Sequence, residues 1–295
     1  MSERIGFIGL GVMGKPMARN LLARGFDLVV HSRSRGPVNE IVAAGARAAE
    51  SPADVARQTA IVITMVPDSP DVEAVLEGQD GVFSALARGS LVIDCSTIAP
   101  AVARRLAARA TEFGAAMVDA PVSGGEVGAI NAALSIMMGG EEAAVARARP
   151  VLEAVGNPER IVHIGPAGSG QLCKVCNQMV IGGTLAAVSE AFALARKAGV
   201  DPALVRTALL GGFASSRVLD AHGERILKSN YTPGFRTKLF AKDLGIAADT
   251  LAEYQTPAPV AAVVQQLVSA LMASGKSEAD YSSLATVLFD LAGIE

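Results

Sequence analysis

The first half of the chain alternates short apolar runs with longer stretches in which apolar residues recur at helical spacing. Short apolar runs bounded by turn residues are typical of buried strands, and helices between successive strands are typical of βαβ units around a parallel sheet. Helices are expected to begin at Ser51-Pro52, Ser69-Pro70 and Ile98–Pro100, because a hydroxyl caps free amides and proline tolerates the first helical position. The predicted strands are Arg4–Ile8, Leu28–His31, Ala60–Val66, Leu91–Asp94, Met117–Ala120, Leu134–Met138 and Ile161–His163.

The strand pattern stops after Gly170, and the remaining sequence is helical in period. The spacing predicts one long helix over Gln171–Ala198, followed by a second helix that Asp201 caps. The predicted fold class is therefore α/β, with an N-terminal doubly wound sheet of the Rossmann type and an all-α C-terminal domain joined to it by a long interdomain helix. We expect the first domain over residues 1–164 and the helical domain over residues 165–295.

The length of 295 residues fits one or two domains, and the change of pattern favours two. A formal net charge of -3 and dispersed lysines and arginines leave no basic face for nucleic acid, so the sequence favours a small-molecule partner. An odd number of cysteines in a chain too large to need disulfides indicates a reducing compartment, which we interpret as the cytoplasm. Cys173 and Cys176 have the spacing of redox and metal sites, but no second pair or nearby histidine completes a metal site.

Neither end of the chain indicates export or a membrane. The N-terminus lacks a charged segment followed by a long apolar one, so no export signal is visible. The uncharged stretch from Tyr254 to Gly275 contains two prolines, and its apolar residues recur at the spacing of a bundle helix that faces a core. The long uncharged helices are too apolar for a lone helical domain, so we expect a homo-oligomer, a dimer or a tetramer.

A glycine-rich turn follows the first predicted strand. A lone GxGxxG pattern is a weak signal in a chain with 30 glycines, but this one stands between a strand and a helix, as in dinucleotide-binding sites. The first glycine permits a tight turn, the second lets the backbone approach a pyrophosphate, and the third allows close helix packing. The alternative is an ordinary strand-to-helix turn. The predicted cofactor-binding residues of this turn are Gly9, Leu10, Gly11, Val12, Met13 and Gly14.

The end of the second strand indicates which nicotinamide cofactor is preferred. NAD-selective sites carry a carboxylate there that binds the ribose hydroxyls, whereas this chain has Ser32, Arg33 and Ser34. A guanidinium suits a 2′-phosphate, so we predict NADP(H) as the preferred cofactor and NAD(H) as an alternative. In the other interpretation, Arg33 and Arg35 are solvated loop charges.

Two further segments carry candidate chemistry. Asp119–Ala129 follows a strand and contains Ser123, Gly124 and Gly125, whose hydroxyl and bare amides can bind a small carboxylate. A flexible turn is the alternative there. Lys174 and Asn177 lie three residues apart at the start of the long helix and would project from one face of it. A surface charge is the alternative for this lysine.

Five ordered motifs together resemble the β-hydroxyacid dehydrogenase family, and the resemblance covers nearly the whole chain. The family moves a hydride between a nicotinamide ring and the alcohol carbon of a short hydroxyacid. The motifs are Gly6–Gly14, Ile93–Thr97, Asp119–Ala129, Gly168–Asn177 and Lys242–Leu244.

The resemblance implies a role for each matching residue. Lys174 matches the general acid/base, while Ser123, Gly124, Gly125 and Asn177 match residues that hold a carboxylate-bearing substrate. Thr97 matches a position beside the nicotinamide ribose, and Val66 and Pro67 match a loop that borders the cofactor. Lys242 matches a lysine near both substrate and nicotinamide, and Asp243 looks supportive. An ammonium near the carbonyl oxygen would stabilise the developing alkoxide and supply its proton.

Within the family, Met65–Pro70 and Val218–Arg236 resemble the branch that reduces tartronate semialdehyde (2-hydroxy-3-oxopropionate) to glycerate. Two departures weaken the choice of substrate: Ala132 and Ala133 stand where the family usually has a glycine and a small hydroxyl residue, and Tyr281 stands where that branch often has histidine. The alternatives are 3-hydroxyisobutyrate or another short semialdehyde, such as succinic semialdehyde or glyoxylate. Imine reduction uses the same architecture but generally lacks this lysine, and a non-catalytic nucleotide-binding domain would tend to lose it.

Overall fold

The computed structural model describes residues 4–294. Their strands form one nine-stranded sheet, in which the order β3-β2-β1-β4-β5-β6 is parallel throughout. Beyond β6, β8 pairs antiparallel with β6 and β7 and parallel with β9. The strands are β1 Ile5–Ile8, β2 Leu28–His31, β3 Arg47–Ala48, β4 Ile61–Thr64, β5 Leu91–Asp94, β6 Ala116–Asp119, β7 Val122–Ser123, β8 Leu134–Gly139 and β9 Gly156–Gly165.

The parallel register brings the carboxyl ends of the central strands to one edge. Ile8 pairs with His31 on one side and with Thr64 on the other, Thr64 pairs with Asp94, and Asp94 pairs with Asp119. In doubly wound sheets the ligand crevice lies at this edge, where the order of strands reverses around β1. The loops that carry the predicted cofactor residues all leave the sheet here.

Helices cover both faces of the sheet because its strands are apolar on both sides. Phe7 and Ile63 belong to one buried cluster, while their neighbours Ile8 and Val62 belong to another. The helices of the first half are α1 Gly14–Ala23, α2 Arg35–Ala43, α3 Pro52–Gln58, α4 Ser69–Glu77, α5 Pro100–Glu112, α6 Gly125–Ile130 and α7 Glu142–Leu152, with a short 3₁₀ helix at Val82–Ala85.

Among the described residues, the elements that follow β9 are helices, with one isolated β-bridge between Arg236 and Asp280, and a third buried cluster lies among these helices. They are α8 Ser169–Lys197, α9 Pro202–Leu210, α10 Arg217–Leu227, α11 Thr237–Glu253, α12 Pro259–Ala273 and α13 Leu284–Leu291, with a 3₁₀ turn at Tyr281–Ser283. The chain divides into two compact units, which we call the sheet unit (Met1–Lys174) and the helical unit (Val175–Glu295). This division falls within α8, whereas the boundary between residues 164 and 165 stays a prediction.

The sequence-based elements agree with the structure except at short or irregular positions. The strands β3 and β7 were not predicted, because two residues are too few to give an alternating pattern. Ser51 and Asp201 cap their helices as predicted, with their side chains accepting from Asp54 N and Ala203 N. The prediction that Ser69 caps a helix is wrong: Asp68 does so, and α4 begins at Ser69.

Among the described residues, α8 is long and apolar enough to cross a membrane by length and composition alone. Half of its most apolar window, 50%, is buried inside the structure, as is common for a core helix. The apolar helix within the stretch from Tyr254 to Gly275 is the shorter α12, at 15 residues.

Candidate active site

The turn between β1 and α1 has the geometry that a dinucleotide-binding turn requires. Gly9 has a φ of 99°, and a Cβ on it would overlap the carbonyl oxygen of Met65. A Cβ on Gly14 would overlap the carbonyl oxygen of Gly9, so a larger residue would force α1 away from β1. A Cβ on Gly11 would meet no atom within 4 Å, which leaves the backbone open on this side. The turn thus has the tight bend, the close packing and the open approach of a pyrophosphate site.

No side chain of the described chain caps the N-terminus of α1. Ser51, Asp201 and Ser216, by contrast, cap α3, α9 and α10. Lys15 N and Met17 N donate to the carbonyls of Gly11 and Met13, whereas the amides of Val12, Met13 and Gly14 form no backbone hydrogen bond among the described residues. These three amides can therefore bind an anion, and the positive end of the helix dipole favours one. These residues fit the pyrophosphate of a nicotinamide dinucleotide.

The loop after β2 is tied to the glycine turn. The amide of Leu10 donates to Ser32 Oγ at 3.3 Å. Ser34 is the N-cap residue of α2, and its side chain forms no capping hydrogen bond. Ser32 therefore lies beside the turn that would hold the pyrophosphate.

Arg33 is on the surface, as the position of a phosphate-binding side chain requires. Its side chain is 82% exposed, and its Nη1 lies 3.3 Å from Asp71 Oδ1. Arg35 pairs instead with Glu50, at 2.7 Å. Exposed ion pairs of this kind stabilise a protein by at most about 1 kcal/mol, so Arg33 can exchange Asp71 for a phosphate at little cost.

Asp94, at the end of β5, organises the loops that follow β4 and β5. Its Oδ1 accepts from Thr64 Oγ1 at 2.7 Å and from the amide of Ser96 at 3.1 Å. Ser96 Oγ accepts in turn from the amide of Val66 at 3.0 Å. These hydrogen bonds fix the backbone beside Pro67 and Thr97, which the sequence predicts to border the cofactor.

Asp119, at the end of β6, holds the start of α8. Its Oδ1 accepts from the amide of Gly168 at 2.7 Å, and its Oδ2 accepts from the amide of Gln171 at 2.8 Å. Two of the amides that a helix start leaves unpaired are thereby bonded. Burial raises the pKa of the Asp119 carboxyl to about 6, although these amide hydrogen bonds lower it. The carboxylate is therefore ionised at neutral pH and accepts both hydrogen bonds.

Gln171 joins the first turn of α8 to the loop after β5. Its Oε1 accepts from the amide of Ile98 at 3.1 Å, and its Nε2 donates to the carbonyl of Ser96 at 2.8 Å. Lys174 follows one turn later on the same helix and is only 7% exposed. This burial contradicts the alternative that Lys174 is a solvated surface charge.

The segment around Ser123 is a strand that leads directly into a helix, not a flexible turn. Ser123 pairs with Ser135 of β8, and α6 begins at Gly125. Gly124 and Gly125 have φ values of 143° and 63°, which side chains rarely adopt. The two glycines therefore let the chain turn while keeping its amides uncovered.

In the helical unit, four polar residues on α8 and α11 form a continuous chain, which we call the amide relay. Asn177 Nδ2 donates to Gln178 Oε1 at 2.7 Å, and Gln178 Nε2 donates to Asp243 Oδ2 at 2.6 Å. Lys242 Nζ lies 2.9 Å from Asp243 Oδ1. Asp243 Oδ1 has no hydrogen-bond partner among the described residues, so the contact with Lys242 does not have hydrogen-bond geometry. It is therefore an electrostatic contact.

The two departures from the family pattern have structural counterparts. Ala132 has a φ of 49°, a left-handed conformation that favours glycine. Tyr281 is 8% exposed, and its hydroxyl lies 2.6 Å from Nε2 of His222. Burial raises the pKa of the Tyr281 phenol, and the charge of Asp280 raises it further.

The described part of the chain contains three cysteines, together with histidines and carboxylates that could bind a metal. No group of three or more histidines, cysteines or carboxylates is arranged to hold a metal ion there. Cys95, Cys173 and Cys176 form no disulfide bond with one another among the described residues. Burial raises the pKa of the Cys95 thiol, so this cysteine is a poor nucleophile.

Two family models match nearly the whole chain. The NAD binding domain of 6-phosphogluconate dehydrogenase matches residues 4–165, and the NAD-binding domain of NADP-dependent 3-hydroxyisobutyrate dehydrogenase matches residues 168–288. The 2-hydroxy-3-oxopropionate reductase of Escherichia coli is 44% identical over 286 residues, which are 97% of each chain. The chain belongs to the β-hydroxyacid dehydrogenase family. The resemblance seen in the five motifs is thereby confirmed.

Other members of the β-hydroxyacid dehydrogenase family are similar over equal lengths. The NAD-dependent L-serine dehydrogenase of Pseudomonas aeruginosa is 38% identical over 98% of each chain. The structure of 3-hydroxyisobutyrate dehydrogenase from Mycobacterium tuberculosis with L-serine superposes with a TM-score of 0.89 and 33% identity, over 98% of this chain and 99% of that one. As a β-hydroxyacid dehydrogenase, the chain is an NAD(P)-dependent oxidoreductase that acts on the CH–OH group of small hydroxyacids.

Sequence reasoning missed the residues that support the candidate site. Asp94, Gln171 and Gln178 are buried and bonded to candidate residues or their loops, yet none was singled out for this role. The carboxylate of Asp94 at a strand end is a signal that could have been used. The glutamines carry no such signal, because only the tertiary structure shows what their amides contact.

Proposed function

We propose that this β-hydroxyacid dehydrogenase is an NADP-preferring tartronate semialdehyde reductase, which reduces 2-hydroxy-3-oxopropionate to glycerate with Lys174 as the general acid. The observation that carries the proposal is the burial of Lys174 on α8, one turn after the Gln171 that joins this helix to the carboxyl edge of the sheet. A buried lysine with a polar scaffold around its helix start is typical of a functional group. The 44% identity to the Escherichia coli reductase favours this substrate over L-serine, for which the identity is 38%.

The chain supplies a proton and a set of binding groups. A nicotinamide held by the glycine turn would supply a hydride for the aldehyde carbon, and the carbonyl electron pair would move to oxygen. The Lys174 ammonium donates to that oxygen, stabilises the developing negative charge and then transfers its proton, so the product is an alcohol. In the reverse direction the neutral amine accepts the hydroxyl proton.

Other residues are proposed to hold the substrate carboxylate. The Ser123 hydroxyl and the amides of Gly124 and Gly125 donate to it, together with the Asn177 carboxamide and the Lys242 ammonium. None of these groups needs to change its protonation state. They fix the carboxylate so that the aldehyde is presented to Lys174.

The decisive experiment compares the intact chain with Lys174→Ala. We expect kcat for 2-hydroxy-3-oxopropionate with NADPH to fall about 1000-fold, because general acid catalysis contributes about 100- to 10,000-fold. The dissociation constant of NADPH, measured by its fluorescence, should stay within about twofold. Lys197→Ala is the matched control, because Lys197 is an exposed lysine in the last turn of the same helix.

A Lys174→Ala variant that keeps full turnover would remove the general-acid assignment. The substrate is tested separately, with a panel of succinic semialdehyde, glyoxylate and methylmalonate semialdehyde for reduction, and L-serine and 3-hydroxyisobutyrate for oxidation. A kcat/KM on any of these above that for 2-hydroxy-3-oxopropionate would replace the proposed substrate while leaving the role of Lys174 intact.

The preference for NADP(H) rests on Arg33 and is tested by Arg33→Ala. We expect KM for NADPH to rise about tenfold or more, because a hydrogen bond to a charged group contributes about 1.5–3 kcal/mol, while KM for NADH changes little. Arg35→Ala is the control, since Arg35 is paired with Glu50. Equal effects on both cofactors would contradict the preference.

Self-association as a dimer or tetramer, in the cytoplasm, is also part of the proposal. It is supported by large apolar side chains exposed on the helical unit, among them Leu194 at 71%, Leu204 at 67% and Val260 at 63%. Light scattering during size-exclusion chromatography would measure the mass, and a monomer at micromolar concentration would contradict it.

A further inference from the structure

The amide relay has a fixed direction of hydrogen bonding. An ionised carboxylate can only accept hydrogen bonds, so the side of the Gln178 amide that faces Asp243 must be its NH₂ group. The opposite side of Gln178, its Oε1, then faces Asn177 and can only accept. Asn177 must therefore turn its own NH₂ group toward Gln178. The structure has this arrangement, with 2.7 Å between Asn177 Nδ2 and Gln178 Oε1 and 2.6 Å between Gln178 Nε2 and Asp243 Oδ2.

This direction decides which way the Asn177 carboxamide is oriented. The oxygen and nitrogen of an amide are nearly isosteric, so packing alone discriminates poorly between the two flipped forms. In the reversed form, Gln178 Oε1 would face Asp243 Oδ2, and two acceptors would be in contact in a buried place. Gln178 is 4% exposed and Asp243 is 2% exposed, so water does not relieve such a contact.

The same carboxylate also holds a cation. Its second oxygen lies 2.9 Å from Lys242 Nζ, and the Lys242 side chain is 17% exposed. The Asp243 carboxylate thus fixes Lys242 directly and Asn177 through Gln178. These are the two side chains of the helical unit that the proposed function assigns to binding the carboxylate of the substrate.

We propose that Gln178 and Asp243 are positioning residues that fix the orientation of the Asn177 carboxamide and the place of the Lys242 ammonium for a carboxylate-bearing substrate. The inference rests on the proposed function, because the substrate role of Asn177 and Lys242 belongs to it. A substrate carboxylate needs donors, and an amide of constant orientation always presents its remaining N–H in the same direction. Loss of the relay lets the amide flip, so that its oxygen can face the carboxylate.

Kinetics of three variants test the proposal. Gln178→Met keeps the length of the side chain without its polar groups, Asp243→Asn keeps the shape but can both donate and accept, and Asp243→Glu remains an acceptor only. Thr250→Val is the control on α11: Thr250 is 5% exposed, and its hydroxyl bonds only within the helix, to the carbonyl of Ile246 at 2.7 Å.

We expect Gln178→Met and Asp243→Asn to raise KM for 2-hydroxy-3-oxopropionate about tenfold, the effect of about one hydrogen bond to a charged group. kcat should change less than about threefold, because the carboxylate is held in both ground and transition states. Asp243→Glu should recover most of the wild-type KM, and the NADPH dissociation constant should stay unchanged in every variant. Kinetics equal to those of Thr250→Val would overturn the proposal.

Nuclear magnetic resonance tests the amide relay without measuring turnover. A failure of the relay proposal can therefore be distinguished from a failure of the proposed function. The side-chain NH₂ signals of Asn177 are assigned by their loss in Asn177→Asp. In the wild type they should exchange with solvent about tenfold more slowly than those of the exposed Asn230, and Gln178→Met should abolish this protection. Fast exchange in the wild type, or protection that survives in Gln178→Met, would overturn the relay even in an active enzyme.

Discussion

Several glycines of the sheet unit pack closely against backbone atoms, whereas Gly182 and Gly183 of the helical unit pack against side chains. In the sheet unit, a Cβ on Gly9, Gly14 or Gly170 would overlap backbone carbonyl oxygens. In the helical unit, a Cβ on Gly182 would approach only side chains, with Val264 Cγ1 at 2.9 Å and a ring carbon of Phe240 at 3.1 Å. Backbone in a sheet cannot move without breaking its hydrogen bonds, whereas a side chain can change rotamer.

The difference indicates how each unit keeps its candidate residues in place. The sheet unit combines close backbone approach at glycines with side-chain hydrogen bonds such as those of Asp94 and Asp119. The amide relay of the helical unit consists of side chains alone. We therefore expect an added methyl group at a glycine that packs against backbone to be more harmful than one at a glycine that packs against side chains.

The largest expected effect is that of Gly170→Ala. Glycine to alanine within a helix normally stabilises a protein by about 1 kcal/mol, but here the new methyl group would overlap the carbonyl oxygen of Met137 and lie 2.8 Å from that of Asp119. We expect the free energy of unfolding in urea to fall by about 4 kcal/mol or more. Gly182→Ala on the same helix is the control and should stay within about 1 kcal/mol of the wild type. Equal losses in both variants would remove the distinction between the units.

A smaller effect, which depends on pH, is expected for Asp119→Asn. Burial raises the pKa of Asp119 from 3.8 to about 6 in the folded state. Folding therefore favours the protonated Asp119 carboxyl. This preference adds to the free energy of unfolding below about pH 4, and the contribution is lost as the pH rises to about 6. A pKa difference of this size corresponds to about 3 kcal/mol.

Asparagine does not titrate, so the unfolding free energy of Asp119→Asn relative to the wild type should rise by about 2.5 kcal/mol between pH 4 and pH 7, the remainder being lost already below pH 4. Urea unfolding at several pH values measures this difference. A constant difference across the range would contradict the raised pKa. Activity should nevertheless decrease, because the amides of Gly168 and Gln171 donate to different oxygens of Asp119, and asparagine replaces one of these oxygens with an NH₂ group that cannot accept.

The smallest expected effect is that of Ala132→Gly. Ala132 has a φ of 49°, and relief of this left-handed conformation should raise the free energy of unfolding by about 0.5–1 kcal/mol. Ala133→Gly, at the next position, should lower it by a similar amount, because glycine there only adds freedom to the unfolded chain. Thermal unfolding of both variants gives the comparison. Destabilisation by both would show that Ala132 is not strained.

Patterns local to the sequence determined the class of fold and the position of the glycine turn. Apolar runs, helix caps at Ser51 and Asp201 and the GxGxxG spacing depend on neighbours a few residues apart, so a single chain shows them. The five motifs likewise indicated the family, because they name chemical groups in a fixed order. Elements of two residues, such as β3 and β7, were missed because they depend on pairing with distant strands.

Only the tertiary structure decided how the candidate residues are held. Asp119 reaches the start of α8 across 49 and 52 residues of sequence, and Gln178 reaches Asp243 across 65. Such hydrogen bonds join residues that are distant in sequence but close in the folded chain. The periodicity of apolar residues does not show which distant residues will become neighbours. Helix geometry also gives no reason to expect Asn177 and Gln178 to meet, since adjacent helical side chains diverge. They meet because Gln178 donates its NH₂ group to the buried Asp243 and can accept from Asn177 with its Oε1.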